Sequence, residues 1–230
     1  MNEVIASSAS AGVVISLLAY WIGMELRRRT KKSFMNPLLI SIVIVILFLL
    51  VFKVSYASYQ ASARYLSWFL TPATVSLAVP LYLQLERLKK NIKAILVSIF
   101  AGSLASMLSV LALSVLFRFS HAQYVTFLPK SITTAIGMGV AEELGGITAI
   151  TVAVIIVTGI FGNIIGDAVC KALKITDPVA VGLALGTSAH AIGTAKAMEL
   201  GETEGAMSSL AIVTAGIITV LLANVFAMLY

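Results

Sequence analysis

With 230 residues, 60% of them hydrophobic and only 11% charged, the chain has too little polar surface to coat a water-soluble globule, where about a quarter of residues carry charge. Its net charge of +6 does not point to nucleic acid. Arg27, Arg28, Arg29, Lys31 and Lys32 form one basic block and Arg87, Lys89, Lys90 and Lys93 another, each beside a hydrophobic run. That is the positive-inside pattern, which orients membrane helices and favours anionic lipid headgroups. The mean hydropathy of +1.03 fits an all-α polytopic protein, a single integral membrane domain over residues 1–230 embedded in a lipid bilayer.

The first uncharged run, Val4–Met24, has no basic residues before it and a basic block after it. It reads as an uncleaved anchor with its N-terminus outside the cell membrane. Ser33–Phe52, Tyr65–Leu85, Ala94–Phe117, Leu144–Gly166 and Gly205–Tyr230 follow, giving six full spans. A bilayer core takes about 20 apolar residues per helix. Each run is apolar all round and lacks strand-like alternation, so helices fit and a β-barrel does not. Phe119–Ala141, broken by Lys130, and Pro178–Ala195, containing His190, are discontinuous or re-entrant segments. If both cross there are eight spans and Cys170–Lys174 lies outside. If both turn back there are six, with Cys170, Lys171 and Lys174 inside. The C-terminus is outside in either threading.

Three stretches carry polar or helix-breaking residues inside apolar runs. Irregular backbone at membrane depth is tolerated only where protein or a water-filled cavity satisfies it. In residues 69–80, Pro72 and Pro80 each remove a backbone donor, and Thr71, Thr74 and Ser76 are near enough to bond the released carbonyls. A merely kinked helix explains the same residues.

In residues 128–146, Pro129 stands where a helix would begin, with Lys130, Ser131, Thr133 and Thr134 in its first turns. A helix N-terminus, hydroxyls and one ammonium suit an anion. Glu142 and Glu143 lie some three turns on and, read blandly, end the helix in water, where Gly145 and Gly146 follow. A snorkelling Lys130 is the bland alternative for the start of this stretch.

In residues 182–196, Gly186, Thr187, His190 and Thr194 would share a helix face, Ser188 lies beside it, and Gly186 and Gly193 are candidate breaks. A histidine there suits bonding to a carboxylate or carrying a coupling proton. A buried neutral imidazole bridging helices is the competing reading.

Gly162–Gly166 has the small-residue spacing of a helix-packing contact, and Asp167 and His121 read as interfacial. Cys170, the one cysteine, reads as a packing residue. There is no Cys/His metal cluster or phosphate loop, and Ser188 and His190, two apart, would point to different helix faces. Neither an enzyme nor a bound cofactor is expected.

Leu128–Thr134 (LPKSITT), Glu143–Ile147 (ELGGI) and Gly182–Ala197 (GLALGTSAHAIGTAKA) closely resemble the LrgB/CidB family. Asn36–Leu38, Pro80–Tyr82 and Glu204–Ser209 are similar as well, so the resemblance runs from about residue 36 onward. It implies one of two functions. The first is antiholin- or holin-like control of murein hydrolase export and autolysis, with a small LrgA/CidA-type membrane partner. The second is carriage of small carboxylates, pyruvate in bacteria and glycolate or glycerate in plastids. A pore-forming oligomer has no need of two polar, glycine-rich interruptions, so the residues favour a carrier. In that reading Lys130, Ser131, Thr133 and Thr134 meet the carboxylate, and Thr187, Ser188, His190 and Thr194 complete the site. His190, with Glu143, is the candidate for proton coupling. A homo-oligomer is expected, and an inverted repeat is a further possibility.

Overall fold

The computed structural model describes residues 5, 8, 10–30, 36–69, 72, 75–76, 78–83 and 85–230. Every regular element among them is helical. Packing divides the chain into two units, Met1–Ser76 and Leu77–Tyr230.

In the first unit, helix α1 (Ala11–Thr30) packs on α2 (Pro37–Val51) and α3 (Tyr56–Ala63). Asn36 starts α2 by accepting from the Leu38 and Leu39 amides, with Pro37 at the first helical position. The α1–α2 crossing requires Gly23, whose missing side chain makes room for the Pro37 backbone. Gly12 does the same for Ser62 and Ala63. Arg27, Arg28 and Arg29 of the basic block lie in the last turn of α1, where Arg29 bonds Glu25 at 2.7 Å and holds that carboxyl below its ordinary range.

The apolar run expected over Tyr65–Leu85 is not one helix among the described residues. It opens with a 3-10 segment, Arg64–Phe69, after which Pro72, Val75, Ser76 and α4 (Ala78–Leu83) are helical. Pro72 is exposed, as is Ser76. Pro80 lies within α4. Thr71 and Thr74 lie outside the described residues.

The second unit continues with α5 (Leu85–Phe117), α6 (His121–Phe127), α7 (Thr134–Glu143), α8 (Thr148–Ala172), α9 (Pro178–Leu200) and α10 (Glu202–Ala227). Within these, Ile92–Phe117, Thr148–Ala172 and Glu202–Ala227 are long and apolar enough to cross a membrane. Helices α5 and α10 run the same way. Ile95 and Ile99 share a core with Ala206, Met207 and Ala211, whereas Met107 and Val110 share one with Ala223 and Phe226. Helix α8 runs oppositely: Thr151 bonds the Thr126 carbonyl at one end, and Cys170 packs with Val181 at the other.

Both interrupted segments turn back. Helix α6, 7 residues long, and α7, 10 residues long, reach about 10 and 15 Å, well short of a hydrocarbon core of about 30 Å. Tyr124 on α6 bonds the Phe226 carbonyl at the end of α10. Ile136 on α7 lies against Gly216, deeper along α10, yet Val140 returns to the core formed by Tyr124, Ala223 and Phe226. The first hairpin therefore enters and leaves at the end of the unit that holds Phe117 and Tyr230. Tyr230 fastens that end by donating to the Ser114 and Phe119 carbonyls.

The second hairpin lies within α9. Its backbone leaves helical geometry at His190 (φ 42°, ψ −138°). Ala197 then packs with Val181, Leu185 and Cys170. A continuous helix would put Ala197 about 24 Å beyond Val181, so the second half, 191–200, runs back beside the first, 178–189. Gly193 admits this reversal, because a side chain there would collide with the Leu185 carbonyl. The hairpin enters from the end of the unit opposite to the first.

The entries to the two hairpins are alike. Helix α5 closes with the Phe119 amide on the Ser114 carbonyl and Arg118 at φ 53°; helix α8 closes with the Ile175 amide on the Cys170 carbonyl and Lys174 at φ 58°. These are Schellman closures with a basic residue where glycine is usual. N-cap residues follow at once: Ser120 for α6 and Asp177 for α9. The same closure ends α2, with the Val54 amide on the Leu49 carbonyl, Lys53 at φ 49° and Ser55 as the next cap. It is this chain's recurrent helix ending and does not by itself mark a repeat. Left-handed backbone costs a residue with a side chain about 1 kcal/mol. Lys174→Gly should therefore raise the denaturant midpoint of the detergent-solubilised protein, and an unchanged or lower midpoint would deny the strain.

Candidate functional site

The tip of the first hairpin and the first half of the second border one cavity in the second unit. Ser106 stands about midway along the apolar stretch Ile92–Phe117. It receives the Lys130 ammonium at 3.0 Å. Ser131 accepts from the same ammonium at 3.0 Å, and the two hydroxyls lie 2.9 Å apart. Among the described residues no carboxylate lies within ion-pair distance of Lys130. The side chain is half-buried and opens on a cavity of about 660 Å³.

Helices α5, α8 and the first half of α9 form the walls of that cavity, with the first hairpin's tip at one end. Hydroxyls from Ser98, Ser109, Thr158, Thr187 and Ser188 join Ser106 and Ser131 around it, between apolar surfaces such as Phe161 and Ile165. Of the residues expected from sequence, Lys130, Ser131, Thr187 and Ser188 come together here. Thr133, Thr134, His190 and Thr194 are not among the lining residues.

The differences have local causes. Pro129 does not begin a helix; it is buried in a turn, and α7 begins at Thr134 with Thr133 as its N-cap. Lys130 and Ser131 therefore belong to the break itself. Gly145 (φ 79°) and Gly146 close α7 through amide bonds to the Glu142 and Ala141 carbonyls. Gly186 and Gly193 are not the break in α9, which falls at His190. Gly186 is where α9 touches the Ser208 backbone. The shared helix face expected for Gly186, Thr187, His190 and Thr194 is interrupted at that break.

His190 is buried, and its Nε2 donates to the Ile155 carbonyl at 3.0 Å, which makes Nε2 the protonated nitrogen. Gly159 leaves space for the ring. Thr194 donates to the His190 carbonyl and meets the Ser208 hydroxyl at 2.7 Å. Asn163 donates to the Ile192 carbonyl. These bonds satisfy backbone groups that the reversal would otherwise leave unpaired. Glu143 is exposed at the end of α7, with no hydrogen bond or ion pair to His190 among the described residues. The two form no direct relay in this conformation.

Sequence reasoning missed Ser98, Ser106, Ser109 and Thr158. A signal for three of them was present in the run Ala94–Phe117: Ser98, Gly102, Ser106 and Ser109 recur at helical spacing and define one small, polar face. The small-residue pair Gly162 and Gly166 is a packing contact, as read, since Ala189 and Leu185 lie against it. Asp167 pairs with Lys171 at 2.8 Å, and His121 is exposed at the start of α6.

The LrgB-like family model matches residues 16–229. The chain belongs to the LrgB family. Its relatives include the antiholin-like protein LrgB of Bacillus subtilis (strain 168), 40% identical over 219 residues and covering 95% of each chain. The proteins of the same name from Bacillus cereus (strain B4264) and Bacillus anthracis (strain CDC 684 / NRRL 3495) are each 38% identical over 216 residues, covering 94% of each chain. No solved structure matches. Membership and the apolar helices make this LrgB-family chain a membrane protein. The residues that form the two tips are those that carried the resemblance.

Proposed function

We propose that this LrgB-family protein is a carrier of small monocarboxylates, of the pyruvate and glycolate class, and that the carboxylate docks on Lys130, Ser106 and Ser131. One observation supports this above the rest: an ammonium with no carboxylate partner among the described residues, held at the middle of an apolar unit beside a cavity of about 660 Å³. An ionisable group at that depth is costly and marks a solute path. Two hydroxyls orient the ammonium, and the surrounding hydroxyls offer partners to a keto or hydroxy group. A single cation favours one carboxylate over two.

In this reading Arg87, Lys89, Lys90, Lys93, Lys171 and Lys174 mark the cytoplasmic end of the second unit, and Tyr230 lies outside. His190 positions the second tip, and a small LrgA/CidA-type membrane protein is the partner in the cell. The relatives' name, antiholin-like, favours a second reading in which the protein regulates murein hydrolase export and autolysis.

Counterflow of labelled pyruvate or glycolate in proteoliposomes, with and without the small partner, separates the two. The carrier reading expects saturable flux that excess unlabelled monocarboxylate drives. Lysis phenotypes on deletion with no such flux support the regulator.

A further inference from the structure

The lining of the large cavity changes character along its length. Contacts at glycines fix equal depths on its walls. A side chain on Gly102 of α5 would meet the Thr187 methyl, and side chains on Gly162 and Gly166 of α8 would meet Ala189 and Leu185 of α9. By that register Thr158, one turn before Gly162, lies close to the depth of Ser106, one turn beyond Gly102. The hydroxyls of Ser106, Ser109, Ser131 and Thr158 therefore gather at the Lys130 end, with Thr187 and Ser188 next along the wall. From there toward Cys170 the walls turn apolar: Ile165 and Val169 on α8, and Ala180, Leu183 and Ala184 on α9. Ser98 is the one hydroxyl on that stretch among the described residues. Val169 lies three turns beyond Thr158, about 16 Å along α8.

We propose that the preferred substrates are 2-oxo monocarboxylates with an aliphatic side chain of three or four carbons, the carboxylate at Lys130 and the chain along this apolar trough; the inference rests on the carrier reading above. The charge that Lys130 complements sits at one end only, and the far walls offer a second charge nothing. Ser109 and Ser188 donate to the Ser106 and Ala184 carbonyls. The Thr158 and Thr187 hydroxyls have no hydrogen-bond partner among the described residues, which leaves them to donate to an oxo group. Pyruvate, with a single methyl beyond its oxo group, fills the head of the cavity and leaves the apolar walls uncovered. A volume of about 660 Å³ is that of pockets enclosing much larger ligands. Apolar cavity walls hold water poorly and take apolar groups instead.

The test titrates the purified full chain in detergent with pyruvate, 2-oxopentanoate and 2-oxohexanoate, reading the rise in melting temperature, with hexan-1-ol as the chain lacking a carboxylate. Each methylene buried is worth about fourfold in affinity. The half-saturating concentration should therefore fall about 15-fold from pyruvate to 2-oxopentanoate and further for 2-oxohexanoate, while hexan-1-ol should not stabilise. Ala184→Leu fills the trough away from Lys130 and should bring the ratio of 2-oxohexanoate to pyruvate affinity down to about one. Ala180→Leu repeats the comparison if Ala184→Leu does not fold. Affinity that stays flat or falls with chain length would overturn the proposal and leave the trough to water or lipid. A chain-length gain that both leucine variants retain, or that hexan-1-ol shares, would overturn it too. Failure of the carrier reading looks different: the acids bind with the same chain-length gain, yet none of them drives counterflow in proteoliposomes.

Discussion

Lys130→Met should abolish monocarboxylate flux in proteoliposomes, by about 100-fold or more, while the protein inserts at normal abundance. Loss of one partner from a buried, hydrogen-bonded charge pair costs about 2–5 kcal/mol, and each 1.36 kcal/mol is tenfold. Methionine keeps most of the length and the apolar stem. Ser106 and Ser131 can still bond each other across 2.9 Å, so the tip should not collapse. Lys130→Arg keeps the charge but spreads it over a planar fork that matches a carboxylate differently, and partial flux is expected. If Lys130→Met leaves flux unchanged, the ammonium is structural. If it removes the protein from the membrane, the comparison rests on Lys130→Arg and on Ser106→Ala, which takes away one hydroxyl that orients the ammonium.

The second large effect falls on Gly186. A β-carbon there would overlap the Ser208 carbonyl oxygen and lie 2.8 Å from the Ala211 side chain. Because the first obstacle is backbone, no rotamer change relieves it, and α9 must move away from α10. Overpacking of this kind costs about 1–3 kcal/mol. Gly186→Ala should lower the denaturant midpoint clearly and Gly186→Val more. Gly139→Ala, where nothing lies within 4 Å of the added carbon, is the matched control. A Gly186→Ala protein as stable as that control would show that the α9–α10 contact is looser than described.

The helical, polytopic character was legible in the long uncharged runs, which are apolar all round and lack strand-like alternation. The two interruptions were legible too: Pro129 with Lys130, and the glycines around His190, have no reason to sit in ordinary apolar helices. Their direction was not. Thr187, His190 and Thr194 have helical spacing, and spacing cannot distinguish a helix that continues from one that reverses at a single residue. The reversal shows only in partners distant in sequence, such as Ala197 beside Val181. The glycines misled for a related reason. Gly186 and Gly193 are needed for close approach of neighbouring chain, whereas the unusual backbone falls on His190. Ser106 escaped notice because one serine per turn is unremarkable in a membrane helix until a lysine is found against it. Conversely, Thr133 and Thr134, whose composition suggested a binding turn, serve the start of α7.

The two hairpins enter the second unit from opposite ends, and the inverted-repeat expectation rests on that alone; their basic left-handed entries at Arg118 and Lys174 are shared with the end of α2 at Lys53. Two hairpins that enter from opposite ends can each uncover the same site from one end. Alternating exposure of a fixed carboxylate position needs that property.

The most direct measurement of the central claim is ligand protection at the site. In a Cys170→Ser background, Ser109→Cys places a thiol on the cavity wall one turn from Ser106, and Val97→Cys places one on an exposed face of the same helix outside the cavity. Alkylation rates of the two are compared in purified protein with increasing pyruvate or glycolate. A carboxylate seated at Lys130 should slow modification of the Ser109→Cys thiol in a saturable way and leave the Val97→Cys thiol unaffected. Identical rates at both positions, whatever the monocarboxylate concentration, would contradict the site.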